Sequence, residues 1–159
     1  MTYTFKVIEG QEAYSSDLAF HLYELDRQYF PTPWSLEAWD KLFSNHVPLL
    51  ILMVSGEEVI GHCLFETQKL DQFAHLVKIL IHPRFRRMGL SKLLIKTALS
   101  HLSNQGFCDF FLEVEESNLP AQKLYLNVGF RVLHRKKDFY GQGRSALIMT
   151  KNIRGSKLP

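Results

Sequence analysis

Apolar residues recur along this chain with two different periods, and the switches between them mark out its elements. Thr4 to Ile8 alternates closely enough for a first strand, which Gly10 ends. From Glu12 to Phe30 the period lengthens to that of a helix, with Leu18, Leu22 and Leu25 on one stripe. Pro31-Thr32-Pro33 breaks it. A shorter helix starts at Trp34-Ser35. Ser35 is a good N-cap, Glu37 suits the positive first turn, and Leu36, Trp39, Leu42 and Phe43 make its apolar face.

Strands follow. Leu49 to Val54 and Val59 to Thr67 read as a hairpin about Ser55-Gly56-Glu57-Glu58. After a turn at Leu70 to Phe73, Leu76 to Ile81 is the third strand of an antiparallel meander. Leu90, Leu93, Leu94, Ala98, Leu99 and Leu102 mark one face of a helix that ends near Gly106. Cys108 to Glu115 is the next strand. Because a helix joins it to 76–81, it must lie parallel and adjacent. Ser117 or Asn118 caps the last helix, Pro120 is tolerated in its first turn, and Gly129 closes it in the left-handed conformation with Phe130 packing back. Arg131 to Arg135 and Ser145 to Lys151 are two final strands joined by the polar loop Lys136 to Arg144. The expected fold is α/β of the α+β type. It is one domain over 1–153, a mixed and mostly antiparallel sheet of about seven strands with a splayed parallel pair and helices on both faces. Residues 154–159 form a loose tail.

Composition narrows the function classes. With 159 residues, 46% apolar and 22% charged, the chain can bury a substantial core. A net charge of +3 falls short of the dense basic face of a nucleic-acid binder. The longest apolar run, Leu49 to Val54, is too short to span a bilayer, and Met1 to Gly10 has no leader pattern. The expectation is a cytoplasmic protein with neither nucleic acid nor membrane as partner, present as a monomer or homodimer. Cys63 and Cys108 sit in strand-like runs without metal-ligand spacing and read as buried free thiols. The seven histidines show no i, i+4 pair, so no metal is expected.

Candidate chemistry lies at two places. The stretch from His75 to Ser91 runs strand, Pro83, basic turn Arg84-Phe85-Arg86-Arg87-Met88-Gly89, then helix from Leu90. The first turn of a helix carries N–H groups without intrahelical partners and the positive end of the macrodipole, so a phosphate placed there accepts several hydrogen bonds at once. The residues alone fit either such a site or a plain tight connection. In the later strand Phe110, Leu112 and Val114 point one way and Phe111, Glu113 and Glu115 the other. Glu113 is either a strand-end carboxylate reaching water or a functional group. Asn118 and Tyr125, seven apart, share a helix face.

Taken together, these residues resemble the GNAT superfamily of acetyl-coenzyme-A-dependent N-acetyltransferases. Arg86-Arg87-Met88-Gly89-Leu90-Ser91 is similar to that family's phosphate-binding turn, Gln/Arg-x-x-Gly-x-Gly/Ala, with Ser91 in the last small position. Asn118…Tyr125…Gly129-Phe130 resembles its second motif. Leu112-Glu113-Val114, Ser117-Asn118, Pro33-Trp34-Ser35 and Asp138-Phe139-Tyr140 look like the bacterial ribosomal-protein alanine N-acetyltransferases within it. The late loop departs from that group, with Phe139 where tyrosine is usual and Ser145 where an acid is usual.

The resemblance implies acetyl-CoA as cosubstrate, with Glu113 as base and Tyr125 as acid. It implies that the backbone of Ile79, Leu80 and Ile81 holds the thioester carbonyl. The turn Arg86, Arg87, Met88, Gly89, Leu90, Ser91 and Lys92 then takes the diphosphate and Asn118 the pantetheine arm. Tyr29, Trp34, Asp138 and Tyr140 are the expected acceptor lining, and Glu115 and Glu116 would suit a cationic acceptor. The partner is an amine: a protein or peptide amine, with an N-terminal α-amine or a lysine in view. A small-molecule amine within the same fold and a non-catalytic acyl-CoA sensor are the alternatives.

Overall fold

In the computed structural model the described residues are 2–9, 14–45 and 48–154, without the side chains of 43–45. Gly10, the Glu12 helix start, Phe43 on the second helix and the tail beyond 154 lie outside that set. The elements are β1 (Thr4–Glu9), α1 (Ser16–Tyr29), α2 (Leu36–Asn45), β2 (Leu49–Ser55), β3 (Glu58–Gln68), β4 (Phe73–Ile81), α3 (Leu90–Asn104), β5 (Asp109–Glu115), α4 (Leu119–Asn127), β6 (Arg131–Lys136) and β7 (Ala146–Asn152). Local chemistry accounts for the helix starts. Ser15 and Ser35 accept from the N–H groups of Leu18 and Ala38, and Asn118 accepts from Ala121. β4 begins three residues before the Leu76 expected from the apolar run, because Phe73, Ala74 and His75 pair with both neighbouring strands.

The sheet has the order β1-β2-β3-β4-β5-β7-β6. Every pairing is antiparallel except β4 with β5, which are parallel. Alternate residues of β2 serve two cores. Leu49, Ile51 and Met53 pack with Leu94, Ile95 and Ala98 of α3 and Tyr125 of α4, while Leu50, Leu52 and Val54 pack with Ala19 and Leu22 of α1 and Trp39 of α2. So α1 and α2 cover one face and α3 and α4 the other. No residue of β5, β6 or β7 belongs to the buried core beneath α1 and α2 among the described residues. That half of the face instead bears a groove of about 460 Å³, with Phe73, Phe111, Leu133 and Ile148 in its wall.

The parallel pairing is short. It runs from Phe73–Asp109 to Leu76–Leu112 and stops. Beyond it β4 stays with β3 as far as Ile81–Gly61, and β5 stays with β7 as far as Glu115–Ala146, so the two central strands part. A β-bulge marks the point of parting. Phe65 pairs with Leu76 but Leu64 pairs with Lys78, leaving Val77 as an extra residue in β4. The bulge also resets the alternation. Ala74 and Leu76 face α3, Val77 turns to the opposite core, and Ile79 and Ile81 return to the first.

Lys78 is thereby sent under α1. Its ammonium is buried, 2.9 Å from Asp26 Oδ1 and 3.9 Å from the centre of the Phe30 ring. Asp26 Oδ2 accepts from the Trp34 N–H at 2.6 Å, so one carboxylate ties α1, the α1–α2 connection and β4 together. Burial pushes the Lys78 pKa down while Asp26 opposes the shift. Removing one partner of a buried pair leaves the other charge unpaired. Lys78→Met should therefore lower the unfolding free energy by about 3–5 kcal/mol, measurable by urea titration.

His62 lies in the same layer, fully buried and edge-on to Trp39, and neither ring nitrogen has a hydrogen-bond partner among the described residues. Burial moves its pKa from an ordinary 6.5 to about 3, with the Lys78 charge adding to the effect. The folded protein holds this ring neutral, and the unfolded chain takes up a proton below 6.5. Its contribution is therefore intact above that pH and declines as the solution is acidified, by up to about 1.4 kcal/mol per pH unit for one proton. Comparing unfolding free energies from pH 7 to pH 4, wild type should lose stability more steeply than His62→Leu.

Candidate active site

The gap between β4 and β5 opens toward the start of α3, where a tight basic turn joins strand to helix. His82 ends the strand by donating its N–H to Ile60 O, and a single 3-10 turn over Pro83–Phe85 reverses the direction. Phe85 and Leu90 are buried and anchor the turn at both ends. Between them Arg86, Arg87, Met88 and Gly89 are exposed, and the Arg86 Nε–H donates to Ile81 O at 3.0 Å. Gly89 is the N-cap of α3 with φ +74°, and it supplies no side-chain capping bond. Among the described residues, the first-turn N–H groups of Leu90, Ser91 and Lys92 thus have neither an intrahelical carbonyl nor a capping side chain. That arrangement fits a diphosphate, with Arg86, Arg87 and Lys92 as neighbouring cations. Ile79, Leu80 and Ile81 pair with β3 on one side but lie past the last β4–β5 pair, so among the described residues no ladder occupies their edge toward β5.

Across the gap, β5 carries Glu113 in register with Ile148 of β7. Its Oε2 lies 2.5 Å from His75 Nε2 on β4. The His75 ring stacks on Phe111, centroid to centroid 4.2 Å and 7° from parallel. Tyr125 projects from α4 into the first core, 6% exposed and edge-on to Phe130. Burial raises its pKa, with Tyr140 adding to the shift, so the hydroxyl stays protonated through the neutral range. Tyr140 is pushed up to about 12 by burial and then by the carboxylates of Glu113 and Glu115. Tyr140 thus feels the charge of Glu113 and itself acts on Tyr125. Asn118 sits at the rim of α4, its side-chain oxygen engaged as the N-cap.

The remaining expected residues are distributed differently. Tyr29 closes α1 with its hydroxyl 3.4 Å from His82 Nε2, at the end of β4. Trp34 packs against Trp39 and over Lys78, within the layer beneath α1 and α2. Asp138 has φ +52° and accepts from the Gly143 N–H at 2.7 Å, which shapes the β6–β7 loop. Glu115 and Glu116 are held by arginines of this chain. Arg144 grips Glu115 with two bonds of 2.9 and 2.7 Å, and Arg135 holds Glu116 at 2.8 Å, so each carboxylate already has an arginine of this chain as its partner. Two contributors had no signal in the residue pattern. Arg144 lies 29 positions from the carboxylate it binds. His75 becomes significant only once the register sets it opposite Phe111 and one pleat from Glu113.

Comparison with known proteins agrees with this geometry. A profile of the Acetyltransferase (GNAT) family matches residues 19–130. The [ribosomal protein bS18]-alanine N-acetyltransferase of Haemophilus influenzae is 31% identical over 132 residues, covering 80% of this chain and 88% of its own length. Its counterpart from Haemophilus ducreyi is 30% identical over 134 residues, covering 80% and 89%. Among solved structures, the ribosomal-protein-S18-alanine N-acetyltransferase from Escherichia coli superposes with a TM-score of 0.82 at 20% identity, over 99% of both chains. Arabidopsis thaliana NAA60 in complex with a bisubstrate analogue superposes with a TM-score of 0.79 at 21% identity, over 97% of this chain and 99% of its own. With the family profile spanning most of the sequence and the same fold around a parted strand pair, this chain belongs to the GNAT family and is an acetyl-CoA-dependent N-acetyltransferase.

Proposed function

We propose that this enzyme acetylates a protein or peptide amine, an N-terminal α-amine in particular, with Glu113 as base and Tyr125 as acid. The observation that carries the reading is the position of Glu113. It stands where β4 and β5 part, across the gap from the turn that opens α3, and its charge reaches Tyr140, which in turn acts on Tyr125. The relatives named above as alanine N-acetyltransferases of a ribosomal protein support a protein acceptor, and a cytoplasmic location follows from that class of acceptor.

An amine near neutrality is mostly an ammonium ion, since an α-amino group titrates near ~8 and an alkylammonium near ~10. Glu113 removes one proton, directly or through a single water. The freed electron pair forms the new C–N bond with the thioester carbon. Backbone N–H groups of Ile79 to Ile81 hold the carbonyl oxygen as charge builds on it. The C–S bond then breaks, and the departing thiolate takes the phenolic proton of Tyr125, a group whose burial keeps it protonated until that moment. The second proton shed by the nitrogen as the amide forms restores the phenol. The turn Arg86 to Lys92 holds the diphosphate and Asn118 meets the pantetheine arm. Tyr29 and Tyr140 flank the acceptor entrance. No enzyme nucleophile is required, in keeping with Cys63 and Cys108 being buried free thiols.

The acceptor class is tested by thiol release from acetyl-CoA with four acceptors: a peptide with a free α-amine, its N-blocked copy, a lysine peptide with a blocked N-terminus, and a polyamine. Release should accelerate only with the free α-amine. Acceleration by the polyamine alone overturns the reading. Glu113→Gln and Tyr125→Phe should each lower kcat by about 100-fold or more, while the dissociation constant for acetyl-CoA changes by less than about threefold. Kinetics paired with calorimetric titration reads both quantities.

A further inference from the structure

We infer that His75 is the positioning residue of the base, holding the Glu113 carboxylate through its Nε2–H; this rests on the assignment of Glu113 above. The contact is short, 2.5 Å from His75 Nε2 to Glu113 Oε2. An ionised carboxylate only accepts hydrogen bonds, so the ring nitrogen facing it carries the proton. The ring has little freedom to turn away. It lies flat on Phe111 at 4.2 Å, and Phe111 in turn meets Phe73 at 5.4 Å. With Oε2 held, Oε1 is the oxygen that takes the substrate proton: one N–H bond breaks, one O–H bond forms, and the electron pair stays on the amine.

The choice of partner is chemically specific. The neighbouring carboxylates Glu115 and Glu116 are each gripped by an arginine, which holds Glu115 and Glu116 below the usual carboxylate range. A permanent cation bonded to the base in the same way would weaken its pull on a proton. An imidazole supplies the orienting N–H without being a permanent cation as an arginine is. Its place follows from the register. His75 pairs with Phe111 one step before the last β4–β5 pair, so its side chain meets that of Glu113 at the point where the strands part.

The experiment uses the full chain, with whichever amine of the panel it acetylates, and compares three substitutions. His75→Phe keeps the ring stacked on Phe111 and removes the donor. His75→Gln keeps an N–H near the carboxylate, and His75→Ala removes both. The Phe and Ala variants should lose about 10- to 100-fold in kcat, the scale of one charge-assisted hydrogen bond, with KM for acetyl-CoA unchanged. The Gln variant should stay within about threefold of wild type. A Phe variant at wild-type kcat, or a Gln variant as slow as Ala, overturns the role. If the Phe variant does not melt cooperatively, comparing Gln with Ala decides the same question. Independently of turnover, wild type should show a downfield imidazole N–H proton resonance, assigned to His75, that Glu113→Ala abolishes; its persistence also overturns the contact. Glu113→Gln at full turnover removes the base itself. Glu113→Gln inactive beside a fully active His75→Phe removes only the part given to His75.

Discussion

One extra residue, Val77, decides where this molecule opens. A strand buried between two others satisfies its backbone on both sides, and two parallel strands in a helix-covered sheet have every reason to stay paired. The bulge at Val77 changes the twist and direction of β4 immediately after its last contact with β5. From that point β4 follows β3 and β5 follows β7, each with a complete ladder on its outer side. The unpaired inner edges are the reactive feature: polar backbone groups in a gap lined by core residues, which a ligand with its own amide and carbonyl groups can complete. Gly61 supports the same bend from the other side. A Cβ there would stand 2.8 Å from Leu80 O, so only glycine lets β3 stay close to the redirected strand.

The charges around the gap follow a consistent logic. Each fixed ion pair has a positioning task. Lys78 and Asp26 join α1 and the following connection to β4 from within the core. Arg144 with Glu115, and Arg135 with Glu116, fasten the β6–β7 loop and β6 to the end of β5 and bring Tyr140 toward Glu113. Exposed pairs of this kind contribute little to stability, so their effect is mainly geometric. Of the carboxylates at that strand end, Glu113 is the one paired with a group that can be neutral. The result is a cleft whose walls are tied by permanent charges and whose central carboxylate, Glu113, is not.

Much of this was legible along the chain because it depends on neighbours in sequence. Ser35 and Asn118 cap the helices they precede, Gly89 stands with positive φ where strand, turn and helix meet, and Ser55-Gly56-Glu57-Glu58 closes the second hairpin. Helical and strand periods likewise separated α1, α3 and the meander, since a face that must be buried imposes its spacing on the residues themselves. What stayed hidden depends on pairs far apart. Glu115 and Glu116 looked available to a substrate until Arg144 and Arg135 arrived from another strand and loop. Asp138 gave no sign in sequence that it also shapes its loop by accepting from the Gly143 N–H.

Residue order by itself therefore determined the kinds of element, their succession, and the parallel relation of β4 and β5. These are consequences of period, capping and side-chain chemistry, all properties of short stretches. Only the tertiary structure decided the register. It ended the ladder at Leu76 and Leu112, brought His75 against Glu113, and buried Lys78 on Asp26. A shift of one residue in a strand sends its side chains to the opposite face, and the whole sheet packing against two helical layers selects among such shifts, so no local stretch can contain that information.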